Sequence, residues 1–495
     1  MRRREFLRAI TGSGGLLAGG GAGALLSACD TLATAAPADA LAAGLPLRVP
    51  RTLDMDGLVL TARRGSALVA PGVSSPVWTL GEEAASGATL SVRSGGRARV
   101  QLINELDEAT IVHWHGLRPP EHSDGHPRFA IAPGASYSYD FEVNEPASLY
   151  WYHPHAHMRT AVQAYMGMAG LIVVRDEAED ALGLPAGVRE LPLLIQDKRL
   201  DGSGALIYAA SGHDMMEGYL GDVPFVNGVR SPVVDVDTAL YRLRVLNGSN
   251  ARIFRVARSD GRPLKLIGGD AGFLAAPVDV PYVDLATGER ADLLVDFSDL
   301  PVGTRLHLRS LQFPSPSGGG MGMGMGMRGM GGGLPQGAQM DLLEFRVARE
   351  VSEPHVIPGT LPAATPVLRS EATRERAFRF DSMMMNHTIN SRMYDMERID
   401  ERIPLGSTEV WTFINDSAFP HPVHMHAVHF HVLSRTGGRG QVLPWESGAK
   451  DTVLIHPGER VEVAARFDRH PGVFMLHCHN LEHEDMGMMM NFLIE

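Results

Sequence analysis

The stretch 477-HCHNLEHEDMGM-488, near the end of the chain, sets a cysteine between two histidines, with a third histidine and a methionine close behind. The 495-residue chain has two cysteines, so this motif contains one of them. Side chains alternate between the two faces of a β-strand, so a strand through residues 477–479 points both imidazoles one way and the thiol the other. One strand can then serve two metal sites, one through the thiolate and one through the histidines.

Three further histidine pairs share this two-residue spacing and occur in 113-HWHG-116, 153-HPHAH-157 and 421-HPVHMH-426. On strands, each pair presents both imidazoles on one side. The eight paired histidines are His113, His115, His153, His155, His424, His426, His477 and His479. Eight imidazoles can hold three metal ions and leave coordination positions open. Structural zinc instead takes a closed set of four ligands, usually with several thiolates, so the pattern fits zinc poorly.

The thiolate face of the strand needs ligands of its own. His483 lies five residues after Cys478, and Met488 lies five residues further on. His421 lies three residues before His424 and can face away from the pair that begins there. Two histidines, one cysteine and a weakly bound axial methionine form the ligand set of blue-copper electron-transfer sites. The motif therefore predicts a cysteinyl copper site joined to a histidine cluster through Cys478.

The rest of the chain has the pattern of an all-β protein. Short alternating or apolar runs are broken by Gly, Pro, Asn and Asp, which is typical of β-sandwiches. Examples are 98-ARVQLINEL-106, 136-SYSYDFEV-143, 169-AGLIVV-174, 241-YRLRVLN-247, 409-EVWTFIN-415 and 460-RVEVAARF-467. Three blocks emerge, at residues 46–175, 191–349 and 367–495, with a predicted surface linker at 176–190. The histidine pairs lie in the first and third blocks, which indicates three related sandwiches of which two carry ligands.

Composition and charge exclude one class of partner. Hydrophobic residues make up 44% of the chain and charged residues 21%, as in ordinary soluble globular proteins. Residues 1–28 carry four arginines and one glutamate, so their removal takes the net charge from −12 to −15. An acidic protein lacks the basic surface that phosphates require, so we expect no nucleic-acid partner.

The N-terminus has the features of an export signal. Paired arginines, Arg3 and Arg4, precede a soft apolar run, which resembles a twin-arginine signal over residues 1–28. The run is too rich in glycine for a membrane anchor. Its end, 25-LLSAC-29, resembles a bacterial lipobox and predicts a lipidated Cys29, although simple cleavage near this point is the alternative. Residues 29–45 then form a flexible tether, and the protein is predicted to be periplasmic or a membrane-anchored lipoprotein.

One segment, 317-SGGGMGMGMGMRGMGGG-333, is a Gly/Met repeat. Glycine at this density resists regular structure, so the segment is predicted to be a mobile loop in the second block. Its thioethers are soft donors that suit Cu(I), and they are Met321, Met323, Met325, Met327 and Met330. The alternative is a flexible insertion without a metal role.

The four histidine motifs resemble those of the multicopper oxidases, over essentially the whole mature chain. The resemblance implies three cupredoxin-like Greek-key β-sandwich domains and four copper ions per chain. It implies type 1 ligands His421, Cys478, His483 and Met488, and type 2 ligands His113 and His424. The implied ligands of the type 3 copper pair are His115, His153, His155, His426, His477 and His479. The layout is similar to that of three-domain bacterial laccases and of cuprous oxidases.

The resemblance also implies two proton-relay residues. Asp124 matches an acid near the type 2 copper, and Glu484 matches a proton donor towards the type 3 pair. The chain departs from the cuprous oxidases at two positions of their substrate site. An aspartate and a methionine of that site correspond here to Ser417 and Phe419, with Asp416 displaced by one residue.

Two functions from different classes follow. The first is an oxidase that couples one-electron oxidation of phenolic substrates, Cu(I) or both to the four-electron reduction of dioxygen to water. The second is a periplasmic copper-storage or electron-transfer protein of copper tolerance, with the Gly/Met loop as its main device. The complete ligand set favours the oxidase, which we expect to be a monomer.

Overall fold

The computed structural model describes residues 44–82, 86–315, 333–352, 355–383 and 386–495. The predicted signal, Cys29 and the five methionines of the Gly/Met loop lie outside these residues. In the described part the chain forms 31 strands and only four short α-helices, so the predicted all-β fold is confirmed. None of the helices described is long and apolar enough to cross a membrane.

The helices are brief connections between strands. They are α1 (Thr160–Tyr165), α2 (Glu177–Asp180), α3 (Gly212–Glu217) and α4 (Leu481–Asp485). Single turns of 3₁₀ helix occur at Glu121–Ser123, Pro127–Phe129, Gly187–Arg189, Arg369–Glu371 and Pro444–Glu446.

The first sandwich packs a four-stranded sheet against a five-stranded sheet. Its strands are β1 (Thr52–Asp54), β2 (Asp56–Ala70), β3 (Val73–Leu80), β4 (Thr89–Arg93), β5 (Gly96–Asn104), β6 (Val112–His115), β7 (Ser136–Val143), β8 (Ser148–Pro154) and β9 (Gly170–Arg175). The sheet orders are β3-β2-β5-β7 and β1-β4-β9-β8-β6. Buried side chains of both sheets, such as Val100 and Tyr152, form one hydrophobic cluster.

The second sandwich has a seven-stranded and a five-stranded sheet. Its strands are β10 (Glu190–Lys198), β11 (Val223–Val226), β12 (Val229–Arg230), β13 (Val233–Asp237), β14 (Leu240–Asn247), β15 (Phe254–Arg258), β16 (Leu264–Gly269), β17 (Gly272–Val280), β18 (Val283–Leu285), β19 (Arg290–Asp296), β20 (Arg305–Ser310) and β21 (Met340–Arg349). The orders are β12-β11-β10-β14-β19-β16-β17 and β13-β21-β20-β15-β18. Leu243 and Leu342 belong to its shared core.

The third sandwich pairs two five-stranded sheets. Its strands are β22 (Arg374–Met383), β23 (Asn386–Ile389), β24 (Glu401–Ile403), β25 (Ser407–Asn415), β26 (His421–Met425), β27 (Phe430–Thr436), β28 (Thr452–Ile455), β29 (Arg460–Phe467), β30 (Gly472–Cys478) and β31 (Met489–Ile494). The orders are β23-β22-β25-β29-β27 and β24-β31-β30-β26-β28. Cys478 and Met488 lie within its hydrophobic core cluster. The domain boundaries stated from the sequence stay a prediction.

Strand periodicity is visible in the burial of individual residues. In β5, Ala98, Val100 and Leu102 are buried, whereas Arg97, Arg99 and Gln101, which alternate with them, are exposed. This alternation is the signature of a sheet with one face on the core. β14 departs from it because all eight of its residues are buried.

The segment between the first two sandwiches, residues 176–190, lies mostly at the surface, as the sequence predicted, but one acidic side chain of its helix is buried. Its helix α2 carries Glu177, which is exposed, and Glu179, which is only 4% exposed. The sequence pattern is misleading here because an acidic side chain is normally solvated.

Two buried arginines of β14 explain why Glu179 turns inward. Arg242 donates to Glu179 over 2.6 Å and to Asp292 over 2.9 Å, and Arg244 contacts Glu179 as well as Glu190. Both guanidinium groups are almost fully buried. Buried charges are tolerated when they are paired and hydrogen-bonded, so α2 completes a charge network beneath the second sandwich.

We predict that Glu179→Ala lowers the free energy of unfolding by about 3–5 kcal/mol, because it removes one carboxylate shared by two buried arginines and leaves their positive charge only partly compensated. Guanidinium titration of the copper-free protein measures the change. Glu177→Ala on the same helix is the matched control, with an expected change within about 0.5 kcal/mol. Equal effects of the two substitutions would contradict this account of α2.

Candidate metal centres

Four strands position the histidine pairs, two in the first sandwich and two in the third. β6 and β8 are antiparallel, with His113 opposite His153, so the first two pairs lie side by side. β26 and β30 are also antiparallel, and their register sets His424 opposite His477. All eight paired histidines are buried.

The two sets of histidines meet where the first and third sandwiches pack together. His113 Nε2 lies 3.4 Å from His424 Nε2, and His155 Nε2 lies 3.4 Å from His477 Nε2. The rings of His113 and His426 stack with their centroids 3.8 Å apart. Residues more than 300 positions apart in the chain therefore form a single histidine cluster.

Most of these imidazoles use one ring nitrogen to contact a protein oxygen. His113 Nδ1 donates to the carbonyl of Asp124 over 2.6 Å, and His424 Nδ1 donates to the carbonyl of Asp451 over 2.9 Å. Four more Nδ1 atoms lie near oxygens, in the pairs His153–Pro154 O (2.9 Å), His426–Asp124 Oδ2 (2.6 Å), His477–Cys478 O (3.2 Å) and His155–Glu484 Oε1 (3.5 Å). A proton held on Nδ1 leaves Nε2 with a free lone pair, which is the form that binds metal.

The imidazoles of the cluster form overlapping sets rather than separate groups. Three sets of three have ligand nitrogens within 4.8 Å of one another, namely His113/His424/His426, His113/His115/His153 and His155/His426/His477. His479 lies beside His115 and His153, with ring centroids 4.8 and 5.2 Å away. The eight imidazoles are therefore close enough together to be shared among several ions.

The opposite face of β30 carries the cysteinyl cluster. Cys478 Sγ lies 3.4 Å from His421 Nδ1 and 3.7 Å from His483 Nδ1, and the two Nδ1 atoms are 3.2 Å apart. Met488 is fully buried, and its carbonyl accepts a hydrogen bond of 3.0 Å from the Cys478 amide. The structure thus gathers at this site the four residues that the sequence singled out for it.

Two residues that the sequence analysis missed hold the imidazole of His483. Its Nε2 donates to the carbonyl of Met216 over 3.0 Å, which leaves Nδ1 free towards the thiol. His387 stacks on the same ring, with the centroids 3.9 Å apart. Met216 and His387 come from distant parts of the chain, and no local motif connects either of them with the cysteinyl site.

The other imidazole of this site is held by Ser417. Its Oγ lies 2.7 Å from His421 Nε2, so the serine occupies the place where a cuprous oxidase has its aspartate. Asp416, the neighbouring carboxylate, points away and pairs with Arg379 over 2.5 Å at the surface. Of the two positions that depart from the cuprous-oxidase pattern, Ser417 therefore contacts an imidazole of the cysteinyl site.

Comparison with known proteins identifies the family. Two family models, both described as multicopper oxidase, match residues 61–179 and 366–495. Bilirubin oxidase of Albifimbria verrucaria is 34% identical over 425 residues, which cover 82% of this chain and 71% of that protein. The chain belongs to the multicopper oxidase family. The protein is therefore a copper-dependent oxidoreductase, as the sequence predicted.

Two further relatives extend the comparison to nearly the whole of this multicopper oxidase. The crystal structure of McoA multicopper oxidase from the hyperthermophile Aquifex aeolicus matches it with a TM-score of 0.82 and 32% identity, covering 92% of this chain and 100% of that one. The predicted cupredoxin-like fold is thereby confirmed. Cell division protein FtsP of Escherichia coli (strain K12) is 32% identical over 475 residues, which cover 93% of this chain and 96% of that protein.

The donor atoms of the multicopper oxidase fit copper. Thiolate, thioether and imidazole are the ligands of blue-copper sites, and imidazole suits copper generally. His153 Nε2 and both ring nitrogens of His479 are buried without a hydrogen-bond partner among the described residues. Leaving such an atom unpaired costs about 1–3 kcal/mol, which a bound ion removes. Neighbouring Nε2 atoms at 3.1 to 3.4 Å are also spaced as ligands about 2 Å from a shared ion.

Burial sets the protonation of these ligands. It lowers the pKa of His153 to about 4 and that of His155 and His421 to about 3, so the imidazoles are neutral at pH 7. Burial also raises the pKa of the Cys478 thiol. The thiolate then forms when a metal ion displaces the proton, which couples metal binding to proton release.

The two carboxylates expected to relay protons both touch the histidine cluster. Asp124 Oδ2 accepts a hydrogen bond of 2.6 Å from His426 Nδ1, and burial raises the pKa of Asp124 well above its usual range. The Glu484 carboxylate lies 3.3 Å from His477 Nδ1 and 3.5 Å from His155 Nδ1. Both acids therefore contact the outer ring nitrogens of histidines in one group of three.

Asp451 is a third carboxylate at the cluster, and the sequence analysis missed it. Its Oδ1 lies 3.0 Å from His115 Nε2 and accepts a hydrogen bond of 2.7 Å from Arg290. All three side chains are fully buried. His115, Arg290 and Asp451 belong to the first, second and third sandwiches, so one ion pair ties the histidine cluster to all three.

We predict that Asp451→Asn weakens copper binding at the histidine cluster by about 10–100-fold, because it removes the charge that orients His115. Copper content per chain, measured against increasing chelator, tests this. The blue absorption of the cysteinyl site should persist and reports that the protein is folded. Asp416→Asn, in an exposed ion pair, is the control and should retain native copper content. Native retention in Asp451→Asn would refute the positioning role.

Proposed function

We propose that this multicopper oxidase is laccase-like, taking single electrons from phenolic donors, Cu(I) or both, and reducing dioxygen to water. The observation that carries the proposal is the position of Cys478 on β30. Its thiol belongs to one ligand cluster, while His477 and His479 on either side belong to the other. A covalent path of a few bonds therefore joins a site of electron entry to a site of electron use.

We infer that the chain holds four copper ions. The type 1 ligands are His421, Cys478, His483 and Met488, and the type 2 ligands are His113 and His424. The type 3 pair is held by His115, His153, His155, His426, His477 and His479. Bound copper supplies the one-electron redox chemistry that the amino-acid side chains lack.

The residues that cover His483 limit how an electron donor can approach the cysteinyl site. The His483 ring is buried beneath the Met216 carbonyl and the ring of His387, so a donor acts through this cover rather than by binding the metal. Met488 would be a weak thioether ligand of a copper ion held by His421, Cys478 and His483, which would favour a moderate reduction potential. Easily oxidised phenols and low-valent metal ions are the donors that match it.

Proton delivery is the second task of the side chains. The reduction of one dioxygen to two waters consumes four protons, which must reach a buried cluster. Asp124 contacts His426, and Glu484 contacts His155 and His477, so each acid can hold a proton beside the cluster. These contacts support a relay role for both residues.

Two other functions compete with the oxidase. One is copper storage or electron transfer in copper tolerance, and the other is a role in cell division, suggested by the name of the FtsP relative. Neither requires eight imidazoles in one cluster. Buried nitrogens without partners, as in His153 and His479, destabilise a chain that binds no metal there, which argues against a metal-free role.

We predict that Cys478→Ser abolishes the blue absorption and reduces dioxygen uptake with dimethoxyphenol to the background rate, because it removes the thiolate that joins the two clusters. Copper content should fall by one ion per chain. Cys29→Ser is the matched control and should retain the blue absorption. A native protein that binds copper but takes up no dioxygen with any donor would support storage instead.

We also propose that the chain is exported by the twin-arginine route, lipidated at Cys29 and active as a periplasmic monomer. Substituting Arg3→Lys and Arg4→Lys together should leave the precursor in the cytoplasm, because this route reads the paired arginines. Cys29→Ala should shift the mature protein from the membrane to the soluble periplasmic fraction. Fractionation and immunoblotting measure both, and native distribution of either variant would contradict that step.

A further inference from the structure

Most of the described methionines that are not buried line one cavity. Among the methionines whose burial is described, those that are not buried are Met158, Met215, Met216, Met393, Met396 and Met486. One cavity of about 650 Å³ is lined by four of these six, namely Met158, Met215, Met393 and Met486. They come from three distant parts of the chain and the loop that precedes Met488, so only the tertiary structure brings them together.

Burial does not account for these side chains. Met158 is 64% exposed and Met393 is 46% exposed, although methionine ordinarily fills cores. Met158 also has a φ of +63°, a left-handed conformation that costs a non-glycine residue about 1–2 kcal/mol. An exposed apolar side chain on a strained backbone indicates a role other than packing.

The rest of the cavity wall suits a soft cation. The ring of His157 packs against Tyr394 with their centroids 5.2 Å apart, and Asp485 accepts hydrogen bonds from the backbone amides of Thr160 and Ala161. Arg159, the cation in the wall, is ion-paired with Glu108. No unpaired positive charge among these described residues opposes a cation, and thioethers prefer Cu(I).

Two short chain segments connect the cavity wall to the cysteinyl cluster. Met486 precedes Met488 by two residues, and the Met488 amide donates to the carbonyl of His483 over 2.9 Å. Met215 is followed by Met216, whose carbonyl accepts the 3.0 Å hydrogen bond from His483 Nε2. Backbone and hydrogen bonds thus connect the cavity wall directly to a type 1 ligand.

We propose that this cavity is a Cu(I) donor site, in which the thioethers of Met158, Met215, Met393 and Met486 bind the ion. The proposal rests on the oxidase function proposed above and specifies its donor. Each Cu(I) is oxidised to Cu(II) and gives one electron to the type 1 site. Four such electrons, with four protons and one dioxygen, yield two waters. Cu(II) is a poor match for thioethers and leaves the site.

This site differs from the cuprous-oxidase position considered from the sequence. The described residues that line it do not include Ser417 or Phe419, which correspond to residues of the cuprous-oxidase substrate site. This chain departs from the cuprous-oxidase pattern at the substrate Cu(I) site. The cavity would provide a Cu(I) site at another position.

Binding of Ag(I), a soft monovalent ion that is not oxidised, tests the proposal without turnover. The copper-loaded full chain is titrated with Ag(I) by calorimetry, alongside the double variant Met158→Leu/Met393→Leu. Leucine keeps the volume and apolar character of methionine but removes the sulfur. We expect the variant to bind one Ag(I) fewer than the native protein. Met396→Leu, a partly exposed methionine outside the cavity, is the control and should bind Ag(I) like the native protein.

Kinetics give an independent readout. The ratio of KM for Cu(I) to KM for dimethoxyphenol should rise about tenfold in the double variant, because soft donors are lost. Native Ag(I) stoichiometry and a native KM ratio in that variant would overturn the proposal. So would a raised KM for the phenol alone, which would make the cavity an aromatic site. If the native protein binds Ag(I) here but oxidises no donor, the oxidase function fails while the metal site stands.

Discussion

The pleat of β30 is the constraint on which both metal centres depend. Alternate residues of a strand face opposite ways, so the Cys478 thiol turns towards His421 and His483 while His477 and His479 turn towards the other cluster. The two centres are consequently joined by main-chain and side-chain bonds of adjacent residues. A helix at this position would scatter the three side chains over its surface, and the connection would be lost.

The ring nitrogens that point away from the metals are as important as those that point inward. The backbone carbonyls of Asp124, Asp451 and Met216 accept hydrogen bonds from His113, His424 and His483, and so select the nitrogen that faces the ion. Burial lowers the pKa of His153, His155 and His421, which keeps these imidazoles neutral. The imidazole ligands are therefore oriented by the protein fold before any ion arrives, which reduces the reorganisation that binding requires, whereas the Cys478 thiol loses its proton as the ion binds.

The second sandwich supplies none of the twelve proposed copper ligands but positions several of them. Arg290 fixes Asp451 behind His115, and the chain around α3 places Met216 over His483. The same segment contributes Met215 to the methionine cavity. The middle sandwich thus acts as a scaffold that braces the histidine cluster on one side and covers the cysteinyl site on the other.

The sequence by itself determined the all-β class, the ligand types and the opposite facing of Cys478 and its neighbours, because strand parity is a local property. It also supported the family resemblance, since the motifs are short and contiguous. Only the tertiary structure decided how the eight imidazoles lie relative to one another, that Glu179 is buried against two arginines, and that Asp451, Ser417 and His387 hold the ligands. It alone gathered four of the described, partly exposed methionines around one cavity. Except for the contact of Ser417 with His421, four residues further on, these contacts join segments tens to hundreds of residues apart, so they depend on tertiary packing rather than on a local pattern.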